Sequence, residues 1–272
     1  MQSPAAFADL LARAVTEPGV ISDAYAAFHG YSLGNQILAL VQCHERRITP
    51  GPIATFMGWK EKGRHVRKGQ KALTLCMPVT CRRKDTESTE TEPESETFTR
   101  FIYRPHWFVL SQTDGAAYQL EPLPAWDTAR ALEVLSITEE PFTHTDGNVQ
   151  GYARQRTIAV SPLAEMPHKT RFHELAHVAL GHTAEGAQAD GERTPRSLRE
   201  VEAESVALLC LEALGLSGAE HCRGYIQHWH QTGEPILERS AQRIFKAADQ
   251  ILRAGQLSQS VTASRAPAAQ KG

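Results

Sequence analysis

No apolar run in this sequence approaches the ~20 residues needed to span a bilayer, so a helical membrane protein is excluded. The N-terminus lacks a basic-then-apolar pattern, and no secretory leader is expected. Cysteines are few, odd in number and without paired metal-ligand spacing: Cys43, Cys76, Cys81, Cys210 and Cys222. That usage excludes a disulfide scaffold and fits reduced thiols in a cytoplasm. Internal repeats are absent too. The chain has 272 residues and a formal net charge of −2, enough for one large or two modest domains.

What is present begins with His173, Glu174 and His177, in the run Phe172-His-Glu-Leu-Ala-His-Val-Ala-Leu-Gly181. Residues four apart stand one above the other on a helix, so both imidazoles can reach one ion while Glu174 points at its open position. Zinc held in this way acidifies water, and a neighbouring carboxylate can take the proton as that water attacks a carbonyl. Phe172, Leu175, Ala176 and Ala179 form the apolar stripe of a buried helix, with Gly181 at its end, so the motif sits in the context it requires. Glu174 is the expected general base.

A third protein ligand is expected from the run Arg199-Glu-Val-Glu-Ala-Glu-Ser-Val-Ala-Leu-Leu-Cys210. Glu200 and Glu204 are four apart and head an apolar face through Ala207, Leu208 and Leu211, whereas Glu202 lies about 200° round the helix from Glu200. Glu200 is assigned as the ligand and Glu204 as the acceptor that orients a histidine, since buried carboxylates need such partners. A capping box between Ser197 and Glu200 is the competing reading. His182 fits no extended three-histidine motif and reads as structural. An oxyanion-stabilising group is left open among Tyr152, His221, His228 and His230.

Charge is unevenly distributed. Between His44 and Lys84 stand eleven basic residues against Glu45 and Glu61, a local balance of +9. Lys60, Lys62, Arg64, Arg67, Lys68 and Lys71 belong to it, interleaved with Phe56 and Trp59; Phe101, Tyr103, Trp107 and Phe108 follow on a strand-like run. A basic groove with aromatic platforms holds single-stranded nucleic acid without reading its sequence. The alternative is a solvated charged face over a core of aromatics. The acidic, low-complexity segment 85–97 follows and is expected to be a disordered loop joining strands Lys71–Val79 and Thr99–Leu110.

The layout predicts helices over Ala5–Ala14 and Leu33–Glu45, the basic strands closing at Gln112-Thr-Asp-Gly115, and a Pro-rich boundary over Leu120–Trp126. Beyond it come a helix near Thr128–Ser136, a hairpin around Gly147–Val160, the two metal helices, and helices near Gly218–Gln231 and Pro235–Ala254. The fold class is α+β. An N-terminal helix-plus-antiparallel-sheet nucleic-acid-binding domain is expected over 1–125, and a mostly helical, zincin-like metallopeptidase domain over 126–254. A disordered tail occupies 255–272.

These pieces resemble a family. Tyr31-Ser-Leu-Gly-Asn35, Leu38, Gln42, Gly58-Trp59, Gly63-Arg64, Val66-Arg-Lys-Gly69, Pro78 and Gln112-Thr-Asp look like the N-terminal single-strand-binding domain of ArdC-type antirestriction proteins. His173-Glu-Leu-Ala-His177 with Glu200 and Ala203-Glu204 is similar to that family's metallopeptidase domain. The resemblance spans roughly residues 5–215; the insertion at 85–97 and the loop at 183–196 depart from it. It implies a plasmid- or mobile-element-borne protein that protects incoming single-stranded DNA from restriction during conjugation. Tyr31 and Asn35 join the DNA-binding residues on its strength, with zinc, or manganese, as the metal and a host restriction-system protein as a possible substrate. A DNA-coating or primase-associated accessory protein whose metal site is structural is the alternative.

Overall fold

The computed structural model describes residues 6–82, 97–183, 195–231 and 235–257. Its packing defines two compact units, Leu38–Leu120 and a larger one of Ala5–Ile37 with Glu121–Gly272. In chain order the first elements are α1 (Phe7–Thr16), α2 (Val20–Phe28), α3 (Leu33–Arg46), β1 (Ile53–Thr55), α4 (Phe56–Glu61), β2 (Arg64–Val66), β3 (Leu73–Arg82), β4 (Thr97–Val109) and β5 (Thr113–Gly115). They are followed by α5 (Thr128–Leu135), β6 (Thr138–Glu139), β7 (Gly151–Arg154), β8 (Thr157–Val160), α6 (Pro167–Ala179), α7 (Arg196–Leu214), α8 (Ala219–Gln231) and α9 (Glu238–Gly255). The class is α+β, as expected. Most of the expected acidic loop and of the tail lies outside the described residues, as does most of the loop at 183–196.

The smaller unit is built on an antiparallel sheet of order β1-β4-β3, beside a β2–β5 pair. The expected strand pair is therefore present, running in register from Thr74↔Pro105 to Arg82↔Thr97. Alternation explains its core: Leu73 and Leu75 of β3 and Trp107 and Val109 of β4 are buried, together with Trp59. Gln42 ties α3 to the sheet, accepting from the Thr74 amide at 2.9 Å and donating to the Thr74 carbonyl at 2.8 Å. Gly115 (φ +133) abuts the Gly63 backbone so closely that a Cβ would lie 2.5 Å from its carbonyl oxygen, which holds β5 against the β2 turn.

The larger unit is mainly helical, with a small sheet of order β6-β8-β7. Its centre is α7, buried without a break from Val201 to Leu211, as expected of a helix packed on every side. The expected domain 1–125 is divided here, because residues 5–37 group with this unit while Leu38–Leu120 form the other. Two carboxylates of α9 explain the attachment. Glu238 accepts from the Phe7 and Ala8 amides at 3.2 and 2.8 Å, and Asp249 accepts from the Leu33 amide at 2.8 Å. Each satisfies donors that a helix N-terminus leaves open. Helix α2 was not in the predicted layout, although Ile21, Ala24, Tyr25 and Phe28 recur at helical spacing and are all buried.

Candidate metal centre

Helix α6 opens on Pro167, which suits a first-turn position, and buries Phe172, Leu175, Ala176 and Val178. Arg171 anchors it to the sheet by a two-pronged ion pair with Glu139 at 2.8 and 2.9 Å. This fixes the faces of His173 and His177. Their Nε2 atoms lie 3.1 Å apart, and Oε2 of Glu200, from the first turns of α7, is 3.4 Å from one and 3.6 Å from the other. The tetrahedral edge for bonds of 2.0–2.1 Å is about 3.3 Å, so the three atoms stand where the ligands of one zinc-sized ion belong. Two imidazoles and a carboxylate are a donor set for zinc or a similar divalent metal. Among the described residues, His173, His177 and Glu200 form a group able to hold such an ion. The capping-box reading of Glu200 gives way: α7 is capped at Pro195 without a side-chain hydrogen bond.

Each histidine has a partner on its far side. Nδ1 of His173 is 3.3 Å from Oε1 of Glu204, whose carboxylate also takes Nζ of Lys169 at 2.7 Å. Burial works against a charged imidazole at His173, but the hydrogen bonds to Glu200 and Glu204 outweigh it and push its pKa up to about 9. Burial would raise Glu204, yet His173 and Lys169 hold it down at about 2. His177 Nδ1 is 3.0 Å from Nδ1 of His182, and His182 Nε2 is 3.0 Å from Oε2 of Glu202, which has no solvent exposure. The sequence alone set both aside, Glu202 for its place about 200° round the helix from Glu200 and His182 as structural. Gly181 (φ +77) turns the chain at the end of α6 and lets His182 fold back, its amide donating to the His177 carbonyl at 2.9 Å.

Glu174 is buried and lies outside that group of three. Burial raises its pKa, against the opposing pull of His173 and His177, which is the direction a proton acceptor working near neutrality requires. It lies under β7: a Cβ on Gly151 would sit 3.1 Å from its Oε1, 3.0 Å from the Ala159 carbonyl and 2.6 Å from the Thr170 methyl. Only glycine lets the strand run this close. Two clefts meet there, of about 410 and about 520 Å³, sharing Gly151, His173 and Glu174. The first also takes in Tyr152, Arg196, Arg199 and Glu200, the second Lys169, Glu204, His221 and Tyr225. Of the four expected oxyanion candidates, Tyr152 and His221 line these clefts and His228 and His230 do not; Tyr225 was unforeseen. The outer edge of β7 carries no strand among the described residues.

The expected DNA-binding residues are divided between the two units. Tyr31 and Asn35 belong to the larger unit, the others to the smaller. Trp59 is 0 % exposed and donates its indole N–H to the Phe108 carbonyl at 2.8 Å, so it is core and no stacking platform. Arg64 is folded onto β5, bonding the Thr113 hydroxyl and carbonyl and the Ala116 carbonyl; Arg67 pairs with Asp114 at 3.2 Å and donates to the Ser111 carbonyl. Lys60, Lys62, Lys68 and Lys71 are exposed, and Phe56 beside them is 54 % exposed. Lys62 also lies 5.9 Å over the Tyr118 ring.

Fold and site together define a two-unit α+β protein whose larger unit carries a preformed His₂Glu metal-ligand cluster beside a buried glutamate. Residues 13–106 match the family described as the N-terminal domain of anti-restriction factor ArdC. The antirestriction ArdC protein from the R388 plasmid shares the fold. Its metal-free crystal structure is 19 % identical, with 92 % of this chain and 94 % of that chain covered at a TM-score of 0.51. Its Mn(II)-bound structure is 19 % identical, with 92 % and 97 % covered at 0.50. No curated protein matches the chain. The resemblance to ArdC-type proteins carried by Tyr31 to Asp114 is thus met by a domain match and a common fold.

Proposed function

We propose that this chain is an antirestriction protein that binds single-stranded DNA entering the cell by conjugation and carries a zinc-dependent metallopeptidase site. The observation that carries the reading is the convergence of His173, His177 and Glu200 within 4.8 Å beside the buried Glu174. A divalent ion held there would polarise a peptide carbonyl and acidify water. Glu174 takes the proton of the attacking water and passes it to the leaving amine, work for which a raised pKa suits it. The free edge of β7 suits an extended peptide, whose backbone pairs with Gly151–Arg154 and so lies over Glu174. Arg196 and Arg199 at the cleft wall make no ion pair among the described residues and would meet an acidic substrate group. A restriction-system protein of the host is the proposed substrate.

For the smaller unit the support is its four exposed lysines with Phe56, a charged and partly aromatic surface of the kind that holds single strands. The Mn(II)-bound form of R388 ArdC supports a divalent metal in proteins of this fold. The test is a conjugal antirestriction assay with wild type and Glu174→Gln, alongside cleavage of a peptide library by the zinc-loaded proteins. Loss of both protection and cleavage in the variant supports the reading. Full protection by Glu174→Gln would leave DNA binding as the whole function.

A further inference from the structure

We propose that Glu202 and His182 form a proton relay that sets the tautomer of His177, and so keep its Nε2 lone pair directed at the metal position. The proposal rests on the reading that His173, His177 and Glu200 hold a divalent ion.

An ionised carboxylate can only accept, so the contact between Glu202 Oε2 and His182 Nε2, 3.0 Å long, places a proton on that nitrogen. A neutral imidazole carries one N–H, and Nδ1 of His182 is therefore an acceptor. It faces Nδ1 of His177 at 3.0 Å, which must then be the donor. His177 in turn keeps a bare Nε2, the atom that lies 3.1 Å from Nε2 of His173 and 3.6 Å from Oε2 of Glu200. The reverse order, with His182 donating from Nδ1, would put the His177 proton on Nε2 and close the ligand position. A ring nitrogen's state is set by the bond its other nitrogen makes.

Glu202 faces His182, Ser240 and Arg243. It is fully buried; besides the His182 ring it meets the Ser240 hydroxyl and, at 3.7 Å from its Oε1, the guanidinium of Arg243. A carboxylate placed out of water in this way is costly unless it is used. Of its partners, His182 is the one that leads on to the metal position. The two relays also differ in kind. His173 meets a carboxylate directly, through Glu204, whereas His177 meets one through a second imidazole. The second arrangement reaches α7 from the turn after α6, so it ties the end of the metal helix to the centre of the unit.

The test uses the full chain labelled with ¹⁵N-histidine, in metal-free and zinc-loaded forms, with two-bond ¹H–¹⁵N correlation to read which ring nitrogen carries each proton. The result expected in both forms is a proton on Nδ1 of His177 and on Nε2 of His182. A proton on Nε2 of His177 in the metal-free form, or on Nδ1 of His182 in either, would overturn the relay. Zinc affinity is then measured by chelator competition. His182→Ala should lose about 10–100-fold, the usual effect of removing such a partner. His182→Gln should recover most of that loss, because its amide oxygen can accept from His177 while its NH₂ donates to Glu202. Unchanged affinity in His182→Ala, or no recovery in His182→Gln with both variants folded, refutes the proposal. If the wild type binds no metal, the peptidase reading fails, and the metal-free tautomers still decide the relay.

Discussion

The indole N–H of Trp59 is bonded to the carbonyl of Phe108 at 2.8 Å, inside the smaller unit and out of reach of any ligand. Phe56, three residues earlier on the same short helix, is by contrast 54 % exposed. The two aromatics therefore have separate consequences. Trp59→Phe should lower stability by about 1–3 kcal/mol, since it removes buried surface and leaves a buried carbonyl unpaired. Phe56→Ala should leave the melting temperature unchanged and weaken single-stranded DNA binding by about 1–3 kcal/mol, the worth of one stacked base. Thermal melts and fluorescence anisotropy on both variants separate these outcomes. Equal affinity of Phe56→Ala and wild type would remove Phe56 from the interface.

The cations divide in the same way. Arg64 and Arg67 spend their donors on Ser111, Thr113, Asp114 and Ala116, while Lys60, Lys62, Lys68 and Lys71 are exposed. If the four lysines neutralise phosphates, the log–log salt slope for single strands should be about −3, at about −0.7 per contact. Each Lys→Ala change should flatten it by about 0.7. Arg64→Ala should act chiefly through loss of stability. A slope near zero would show that these lysines are a solvated face.

At the metal centre, Glu200→Ala should abolish retention of zinc, and Glu204→Ala should weaken it about 10–100-fold, because Glu204 holds His173 and does not itself bind. Metal content by mass spectrometry after dialysis, with chelator titration, checks both. Retention of zinc at wild-type affinity by Glu200→Ala would exclude it as the third ligand. Glu174→Gln should keep its metal and lose any peptide cleavage, since the amide cannot take up a proton. Loss of metal in that variant would instead make Glu174 part of the ligand set.

The parts of this site that follow from local periodicity were legible in the sequence: spacing alone put His173, His177, Glu200 and Glu204 on two faces that meet. Glu202 was not, because a helical wheel finds function only where one face is solvent, and α7 is buried on every side. His182 depends on the turn at Gly181, a geometry that lies past the helix the periodicity predicts. Trp59 shows a different ambiguity. An aromatic among basic residues suits a stacking platform or a core equally well, and only tertiary packing chooses. The grouping of the N-terminal helices with the larger unit was not legible for a related reason, since the carboxylates that cap them come from α9, more than two hundred residues away.

One of those caps has a pH signature. Asp249 is half-buried, accepts from the Leu33 amide, and has its pKa raised to about 6, chiefly by burial, against the pull of that amide and of Arg253. An acid whose pKa is higher folded than unfolded binds more protons in the native state. Its contribution to stability is then greatest below its unfolded value near 3.8 and is lost as pH rises through about 6. Other groups move the opposite way, Glu204 among them, so the wild-type curve alone does not isolate it. Asp249→Asn does, because asparagine can still accept from Leu33 and cannot titrate. The unfolding free energy of wild type relative to this variant should fall by about 2–3 kcal/mol between pH 4 and pH 7, at roughly 1.4 kcal/mol per pKa unit. Urea denaturation at stepped pH measures the difference. A gap that stays constant across that range would mean that Asp249 titrates alike in the folded and unfolded chain.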